Sequence, residues 1–268
     1  MTGRNRRDRE IEAGARAHYE DPAYYTSTYA PRIEDVAFYV HQAVRARGPI
    51  LEYGVGNGRI ALPIARHGVD VVGVDHSRPM LADLRERIAR EPEEVKRRVK
   101  LVTGDMRRVR LDRRFPLVVC AFNTALHLYD RRDVERFLAS VRDHLAPGGL
   151  FLVDLSMPPL TDLARDPARP YNAPRFKHPT AGVVVKNREY FDYDPIRQVL
   201  FVSMEFEPVD EPSRRWATPL SHRQFFPQEW EALLHYNGFE VDRVEGDFTG
   251  GPLARNSEVM VWHARRRR

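Results

Sequence analysis

Apolar residues change their spacing several times along the chain, and each spacing predicts a different element. From Val36, apolar positions recur at i, i+3, i+4 and i+8, which predicts a helix that ends near Gly48. Further on, short apolar runs alternate with segments of helical periodicity. The runs cover 50–53, 69–75, 99–105, 115–122 and 150–156, and the helices lie near 58–67, 77–90 and 131–146. This alternation predicts an α/β fold, with a parallel, doubly wound sheet that carries helices on both faces.

The chain beyond Ser156 follows a different pattern. The segment MPPLTDLARDPARPYNAP predicts a Pro-rich loop. Two stretches rich in Val, Phe and Tyr, 182–193 and 198–208, flank Asp194 and Pro195, which predicts an antiparallel hairpin. The pattern is completed by a strand at 219–226, a helix from Pro227 to about Tyr236 that Gly238 is placed to end, and strands at 239–246 and 257–264.

Composition limits the location of the protein and its covalent chemistry. The 268 residues are 42% hydrophobic and 30% charged, with a mean hydropathy of −0.54, as in a globular domain. No apolar run reaches about 18 residues, and the first residues are charged, so we expect no membrane segment and a cytoplasmic protein. Cys120 is the single cysteine, which excludes an intramolecular disulfide, and we expect no metal site.

The net charge of +5 raises the question of a nucleic-acid partner. Residues 1–10 carry +2 and the run 265–268 carries +4, which leaves the rest of the chain at −1. The excess therefore lies in two tails, where charge runs are usually solvated, and we expect the first ten residues to be disordered. This distribution argues against nucleic acid as the partner.

A glycine-rich turn follows the strand predicted at 50–53, in the segment LEYGVGNGR. Glycines let the backbone approach a ligand closely, and the following helix N-terminus offers N–H groups to an anion. A dinucleotide fingerprint that began at Gly54 would need glycine or alanine at position 59, where this chain has Arg59. The spacing therefore disfavours a nucleotide-dependent dehydrogenase.

Further polar residues follow the next three strands, at the sheet edge where α/β proteins bind ligands. A carboxylate at Asp75 can accept hydrogen bonds from ribose hydroxyls, and Asp105 can accept one from an adenine amine, with Met80 and Met106 supplying apolar surface. Taken singly, these residues also fit helix caps or core positions. The candidate cofactor-binding set is Glu52, Gly54, Gly56, Gly58, Arg59, Asp75, His76, Met80, Asp105, Met106, Phe122 and Asn123.

In the order and spacing of these motifs, residues 35–156 resemble the class I S-adenosylmethionine-dependent methyltransferases. The segments that carry the resemblance are LEYGVGNGR, VVGVDHSRPML, LVTGDMRRV, FNTALHL and HLAPGGLFLVDL. The resemblance implies a Rossmann-like seven-stranded sheet with an antiparallel last strand, and S-adenosyl-L-methionine as cofactor with S-adenosyl-L-homocysteine as product. It places Glu52 and the glycines at the methionine part, Asp75 at the ribose, and Asp105 with Met106 at the adenine.

The remaining segments look like those of sugar N-methyltransferases and glycine N-methyltransferase relatives. This second resemblance implies a small-molecule substrate, an N-terminal tyrosine segment over the cofactor and an antiparallel β insertion that forms a substrate roof. Four parts follow: 1–30 (tail and covering segment), 31–156 (cofactor core), 157–226 (roof) and 227–268 (end of the core and basic tail). The candidate substrate residues are Tyr24, His178, Arg188, Tyr190, His222, Arg223 and Arg255.

Methyl transfer is an in-line displacement that requires alignment more than catalytic groups, although a base helps if the nucleophile must lose a proton. His127 is the candidate base, with a helix-start histidine as the alternative, and Tyr25 and Tyr29 are candidates to close over the methyl donor. We expect transfer to nitrogen more than to oxygen. An RNA- or protein-modifying methyltransferase, a catalytically silent binding protein of the same fold and a homodimer stay open.

Overall fold

The structure is a computed structural model that describes the backbone of residues 3–267 and the side chains of residues 6–267. The helices in this range are α1 (Gly3–Gly14), α2 (Pro22–Tyr29), α3 (Glu34–Arg45), α4 (Ala61–Arg66), α5 (Arg78–Ala89), α6 (Glu93–Lys96), α7 (Arg131–His144), α8 (Leu160–Leu163) and α9 (Pro227–Tyr236). Short 3-10 helices cover Ala17–Tyr19 and Thr124–His127. Among the described residues, no helix combines the length and apolar character that a membrane crossing requires.

The strands are β1 (Ile50–Tyr53), β2 (Val71–Asp75), β3 (Val99–Thr103), β4 (Phe115–Cys120), β5 (Leu145–Ser156), β6 (Tyr171–Lys177), β7 (Val184–Asp194), β8 (Val199–Pro208), β9 (Trp216–Arg223), β10 (Phe239–Glu245) and β11 (Val259–Arg266). They divide between two compact units. The core unit contains Arg32–Met157 and the chain from Phe225 onward, and the insertion unit contains the chain up to Pro31 together with Pro158–Gln224. The functional division into four parts stays a prediction.

The core unit is built on a seven-stranded sheet in the order β10-β11-β5-β4-β1-β2-β3. Its central strands pair in parallel, while β11 is antiparallel to both of its neighbours, β5 and β10. The α/β class, the doubly wound parallel sheet and the antiparallel last strand are thereby confirmed. Because β1 lies between β2 and β4, residues that follow these three strands meet at one edge of the sheet.

Both faces of this sheet are buried, which explains why its strands are apolar rather than alternating. On one face, Leu51 and Tyr53 of β1 pack in a cluster with residues of α7 and α9, such as Phe137 and Trp230. On the other face, Ile50 packs with residues of α3, α4 and α5. Glu52 shares the parity of Ile50, so its carboxyl group lies on the buried face that α3 to α5 cover.

The insertion unit contains an antiparallel sheet in the order β6-β7-β8-β9, and the predicted hairpin is its β7–β8 pair. One face, here called the Tyr24 face, carries the odd-numbered residues of β7 and the even-numbered residues of β8, and Tyr24 packs on Met204 and Phe206. The opposite face, here called the α1 face, carries the alternate residues. There Gly14 approaches Ser221, and the Arg7 guanidinium lies 4.8 Å from the centre of the Phe201 ring.

The segment predicted as a Pro-rich loop, residues 157–174, contains α8 and the first four residues of β6, so the prediction was wrong for these two parts. β6 is an edge strand with mostly exposed side chains, and its pairing with β7 shifts register around Pro174. An edge strand with a bulge tolerates proline and lacks an apolar alternation, which removes both sequence signals for a strand.

The prediction of disorder over the first ten residues was wrong for residues 3–10, which begin α1, while residues 1–2 lie outside the described range. Glu10 pairs with Arg6 and Arg7 within the helix. Arg7 also pairs with Asp192 of β7 at 2.9 Å. The charges that indicated a solvated tail are therefore engaged in local and tertiary ion pairs, and the tertiary ones cannot be inferred from composition.

Candidate active site

The glycine-rich turn after β1 has a backbone that only glycine adopts easily. Gly54, Gly56 and Gly58 have φ values of +71°, +53° and +82°. A Cβ at Gly54 would collide with Thr124, and one at Gly58 would collide with Leu84. Two of the three glycines are thus required by packing within the protein as well as by any ligand.

Asp75 connects this turn to the start of α5. Its Oδ2 accepts a hydrogen bond from the Gly56 N–H at 2.8 Å, and its Oδ1 accepts one from the Ser77 N–H at 2.7 Å. A carboxylate oxygen can accept a second hydrogen bond, so hydroxyl groups of a ligand can still bind there. The neighbouring His76 is exposed, with its Nδ1 4.0 Å from Asp75 Oδ1.

Glu52 carries a buried acceptor without a partner. The residue is 2% exposed, and its Oε2 has no hydrogen-bond partner among the described residues. Burial raises the pKa of this carboxyl group to about 8; Arg59 opposes the rise, while Asp75 and Asp35 add to it. Unsatisfied buried groups of this kind are rare and costly, and a cationic N–H donor at this oxygen would satisfy it.

Arg59 is held in place by Asp35, which the sequence reasoning missed. The guanidinium donates from Nη1 to Asp35 Oδ1 at 2.8 Å and from Nη2 to Oδ2 at 2.5 Å. Its Nη1 also donates to the Arg32 carbonyl at 3.2 Å. By contrast, the exposed Arg32 side chain makes no ion pair within residues 6–267 and lies 5.6 Å from the centre of the Phe122 ring.

The loop after β4 is strained. Phe122 and Asn123 have φ values of +53° and +63°, a left-handed conformation that costs a non-glycine residue free energy and often marks functional sites. The Phe122 N–H donates to Asp154 Oδ1 at 2.8 Å, and the Tyr39 hydroxyl donates to the same oxygen at 2.5 Å. Burial raises the pKa of Asp154 to about 6, although both hydrogen bonds oppose the rise.

Two further contacts fix this loop. The Asn123 side chain accepts from the Ser156 N–H at 2.7 Å and donates to the Ser156 hydroxyl at 2.8 Å, which joins the ends of β4 and β5. The Arg59 guanidinium lies 4.3 Å from the centre of the Phe122 ring. Tyr39 and Asp154, like Asp35, lie far apart in sequence from the groups they hold, and no local motif identifies them.

Asp105, the candidate adenine ligand, forms an ion pair with Arg107. The Arg107 Nη2 donates to Asp105 Oδ2 at 2.7 Å, and the Arg107 N–H donates to Oδ1 at 2.9 Å. Burial disfavours the ionised carboxylate, but the Arg107 hydrogen bonds outweigh it and lower the pKa of Asp105. Arg107 also pairs with Asp133 at 2.7 Å. Met106 packs against the core, and the buried Met80 lies beside Gly56.

His127, the candidate base, ends the short 3-10 helix that follows β4. Its side chain is half-buried, and its Nδ1 lies 2.9 Å from the Tyr129 hydroxyl. The imidazole orientation is thus set by a tyrosine two residues away, at the edge of the sheet that also holds Phe122 and Asn123.

Tyr25 and Tyr29 belong to the insertion unit, where they surround a histidine that the sequence reasoning did not select. The His18 Nε2 lies 3.0 Å from the Tyr29 hydroxyl, and the ring centres of Tyr25 and Tyr29 are 4.8 Å apart. Burial lowers the pKa of His18 to about 4, so the ring is neutral at neutral pH.

The candidate substrate residues lie in several different environments. Tyr24 and His178 are buried and stacked at 5.0 Å, which favours a packing role. Arg188 lies on the α1 face, where its Nη2 is 3.3 Å from Glu207, and Tyr190 shares that face. The remaining three are Arg223, whose Nη2 donates to Gln198 at 2.9 Å, the half-buried His222, and Arg255, which is exposed in the core unit.

Known proteins resemble this chain in sequence and in fold. Residues 50–149 match the family described as a methyltransferase domain. The cypemycin N-terminal methyltransferase of a Streptomyces species is 26% identical over 213 residues, which cover 79% of this chain and 81% of that protein. The CcbJ methyltransferase from Streptomyces caelestis has a TM-score of 0.73 and 27% identity, covering 88% of this chain and 90% of that one.

A second similar structure is the glycopeptide N-methyltransferase MtfA in complex with S-adenosyl-L-methionine. Its TM-score is 0.58 with 28% identity, and the match covers 85% of this chain and 92% of that one. The family match falls on the strand, glycine-rich turn and helix segments that build the sheet edge described above. Residues 50–149 thus form a methyltransferase domain, and the chain has the fold of the class I S-adenosylmethionine-dependent methyltransferases.

Proposed function

We propose that this chain transfers a methyl group from S-adenosylmethionine to a small-molecule acceptor, at nitrogen in preference to oxygen. Support comes from two relatives above, one named for an N-terminal methylation and one for N-methylation of a glycopeptide. The first supports a peptide amine as one acceptor among the candidates. The observation on which the cofactor site rests is the buried, unpartnered Oε2 of Glu52 beside the glycine-rich turn.

The residues present fit the amino-acid part of the cofactor. Glu52 Oε2 lacks a donor, and an ammonium group supplies one. Arg59 is already neutralised by Asp35, whereas Arg32 makes no ion pair in the described chain, so we assign the carboxylate to Arg32. Glu52 and Arg32 are therefore the proposed ligands of the two charged groups.

The other proposed cofactor ligands keep the roles that their positions indicate. Asp75 accepts from ribose hydroxyls with the lone pairs that Gly56 and Ser77 leave available. Asp105, which Arg107 holds in place, would accept a hydrogen bond from the adenine amine. The remaining members of the proposed set line the site, and they are Gly54, Gly58, Arg59, His76, Met80, Met106, Phe122 and Asn123.

When bound, S-adenosylmethionine supplies a methyl group that its sulfonium already activates. The chain has to orient the acceptor, exclude water and take up one proton from an amine that becomes methylated. His127 is the proposed base, accepting the proton at Nε2 while Nδ1 faces the Tyr129 hydroxyl. Tyr25 and Tyr29 stay proposed contributors to the transfer site.

The test is S-adenosylhomocysteine formation by the full chain with a panel of aminosugars, peptides with free N-termini and matched compounds that carry hydroxyls in place of amines. We expect product with amines. Turnover of the hydroxyl compounds alone would contradict nitrogen preference, and silence with every compound despite tight cofactor binding would favour a silent binding protein. Salt-dependent RNA binding that survives removal of both Arg-rich tails would favour an RNA-modifying enzyme.

The cofactor assignment is tested separately by calorimetric titration with S-adenosylmethionine. Asp75→Ala should weaken binding about tenfold or more, because both ribose hydroxyls lose their acceptor. Asp70→Ala is the matched control, since this exposed aspartate lies at the opposite end of β2, where it pairs with Arg98, and its loss should leave the affinity nearly unchanged. Equal affinities of wild type and Asp75→Ala would refute the site.

A further inference from the structure

The Tyr24 face of the insertion unit carries two polar side chains among apolar ones. Asn187 and Glu189 are two residues apart on β7, opposite Phe206 and Met204 of β8. Residues two apart on a strand point to the same side, about 7 Å apart along it. The sequence reasoning selected Arg188 and Tyr190, which alternate with this pair and lie on the α1 face.

The acceptor atoms of both side chains lack donors. Asn187 is 9% exposed, and its Oδ1 has no hydrogen-bond partner within the described chain. Glu189 is half-buried and forms no hydrogen bond or ion pair with any residue from 6 to 267. Burial raises the pKa of the Glu189 carboxyl group, Arg165 opposes the rise and Asp162 adds to it. A buried oxygen without a partner on Asn187 and a half-buried carboxylate without a protein donor on Glu189 share one face, which indicates a place for a ligand that donates N–H groups.

The surroundings of Glu189 already attract a cation. Tyr171 of the adjacent strand β6 is paired with Glu189, and Phe191 lies two residues after Glu189 on β7. The Arg165 guanidinium lies 3.6 Å from the centre of the Tyr171 ring and 4.3 Å from that of Phe191. Aromatic faces and a carboxylate attract positive charge. The Arg165 guanidinium is a cation of this chain that already lies against Tyr171 and Phe191.

We propose that Asn187 and Glu189 form an acceptor subsite that binds a protonated amine, which donates to the Glu189 carboxylate and to Asn187 Oδ1. This inference rests on the proposed amine acceptor and adds the residues that recognise its charge. An aminosugar and a peptide N-terminus offer the same ammonium chemistry, so both sources are tested. The subsite rejects an N-acetylated counterpart, which has no charge and fewer N–H donors.

The experiment is calorimetric titration of the full chain, saturated with S-adenosylhomocysteine, with two probes and their N-acetylated forms. The probes are an aminosugar nucleotide and a tripeptide with a free N-terminus. We expect one probe to bind at least about tenfold more tightly than its acetylated form, and Glu189→Gln to remove that difference. The isosteric change preserves shape, and an unchanged Tm verifies folding.

Lys186→Gln is the matched control, because Lys186 also lies on β7, directly before Asn187, but pairs with Glu207 on the α1 face. It should leave the preference for the free amine intact. Equal binding of free and acetylated probes, no binding of either probe, or an unchanged preference in Glu189→Gln would overturn the proposal. Failure of the proposed function is distinguishable, since it appears as lost S-adenosylmethionine binding or as absent product, which the Glu189 comparison does not measure.

Discussion

The Asp35 carboxylate holds the Arg59 guanidinium through two hydrogen bonds, at 2.8 and 2.5 Å, and so joins α3 to the turn after β1. Asp35 is buried and Arg59 is largely so. Removal of one partner leaves the other charge uncompensated, which is more costly than loss of an exposed pair. Arg59, selected from the sequence for its spacing, therefore acts in the structure as the anchor of the glycine-rich turn.

Asp35→Asn should lower the free energy of unfolding by about 3 kcal/mol, because Arg59 then lies buried without its counter-charge. Denaturant unfolding measures the change. Glu135→Gln is the control, since Glu135 pairs with Arg131 on the exposed surface of α7 and its loss should cost less than about 0.5 kcal/mol. Equal effects of the two substitutions would contradict a buried ion pair at Asp35.

Glu52 should make stability fall as pH rises from about 4.5 to about 8. Its pKa in the folded protein, about 8, is above the ordinary value of 4.5, so the folded state binds the proton more tightly than the unfolded state. Stability from this proton is complete below pH 4.5 and is lost as pH approaches 8. Glu52→Gln lacks the titration, so its stability advantage over wild type should grow from pH 5 to pH 8.

The Glu52 carboxyl group also allows a test of where the ammonium group of the cofactor binds. If the ammonium of S-adenosylmethionine binds at Glu52 Oε2, binding favours the ionised carboxylate and should release a proton near pH 7. Calorimetry in buffers of different ionisation enthalpy detects this release. A proton count that is the same in wild type and Glu52→Gln would argue that the ammonium binds elsewhere.

Gly54→Ala should cost about 2–4 kcal/mol, since the new Cβ collides with Thr124 and φ is +71°. Gly148→Ala is matched to it, with the same φ but no atom within 4 Å of the added Cβ, so it should cost only about 1 kcal/mol. The double change Gly54→Ala with Thr124→Ala should recover the steric part. Additive single effects would show that the collision is not the cause.

His127→Gln should lower kcat about 100-fold if the imidazole removes the proton of the acceptor, while the affinity for S-adenosylmethionine changes little. Tyr129→Phe removes only the hydroxyl 2.9 Å from Nδ1 and should have a smaller effect. Steady-state kinetics with the acceptor found in the panel measures both. An unchanged kcat in His127→Gln would leave His127 a structural residue.

The alternation of apolar runs and helical segments was sufficient to predict the core unit, because strands buried on both faces are apolar throughout. The predicted strand at 50–53 is β1, and the glycines that follow it have the positive φ values that make their identity readable in the sequence. The position of Asp75 at the end of β2 was predicted as well, because apolar runs mark the strands and ligands of α/β proteins bind beyond their carboxyl ends.

The two faces of the insertion sheet show what the periodicity of the sequence could not predict. Arg188 and Tyr190 were selected on β7, but Asn187 and Glu189 lie on the Tyr24 face, and a shift of one residue exchanges the two faces. β7 carries polar residues at both parities, so periodicity cannot assign the buried face. Packing of Tyr24 against Met204 and Phe206 makes that assignment.

Sequence alone thus determined the fold class and, through the resemblance of its motifs, the cofactor. It also predicted that Asp75 and the glycines directly follow or end strands of the core, because these positions depend on local spacing and backbone conformation. Only the tertiary structure decided which side chains fix the residues of the site in place. Asp35 pairs with Arg59 and Asp154 supports the strained Phe122 across 24 and 32 residues of chain, and α1 is ordered by ion pairs such as that of Arg7 with Asp192. Contacts of that range leave no periodic signal, since they arise only when separate elements pack together.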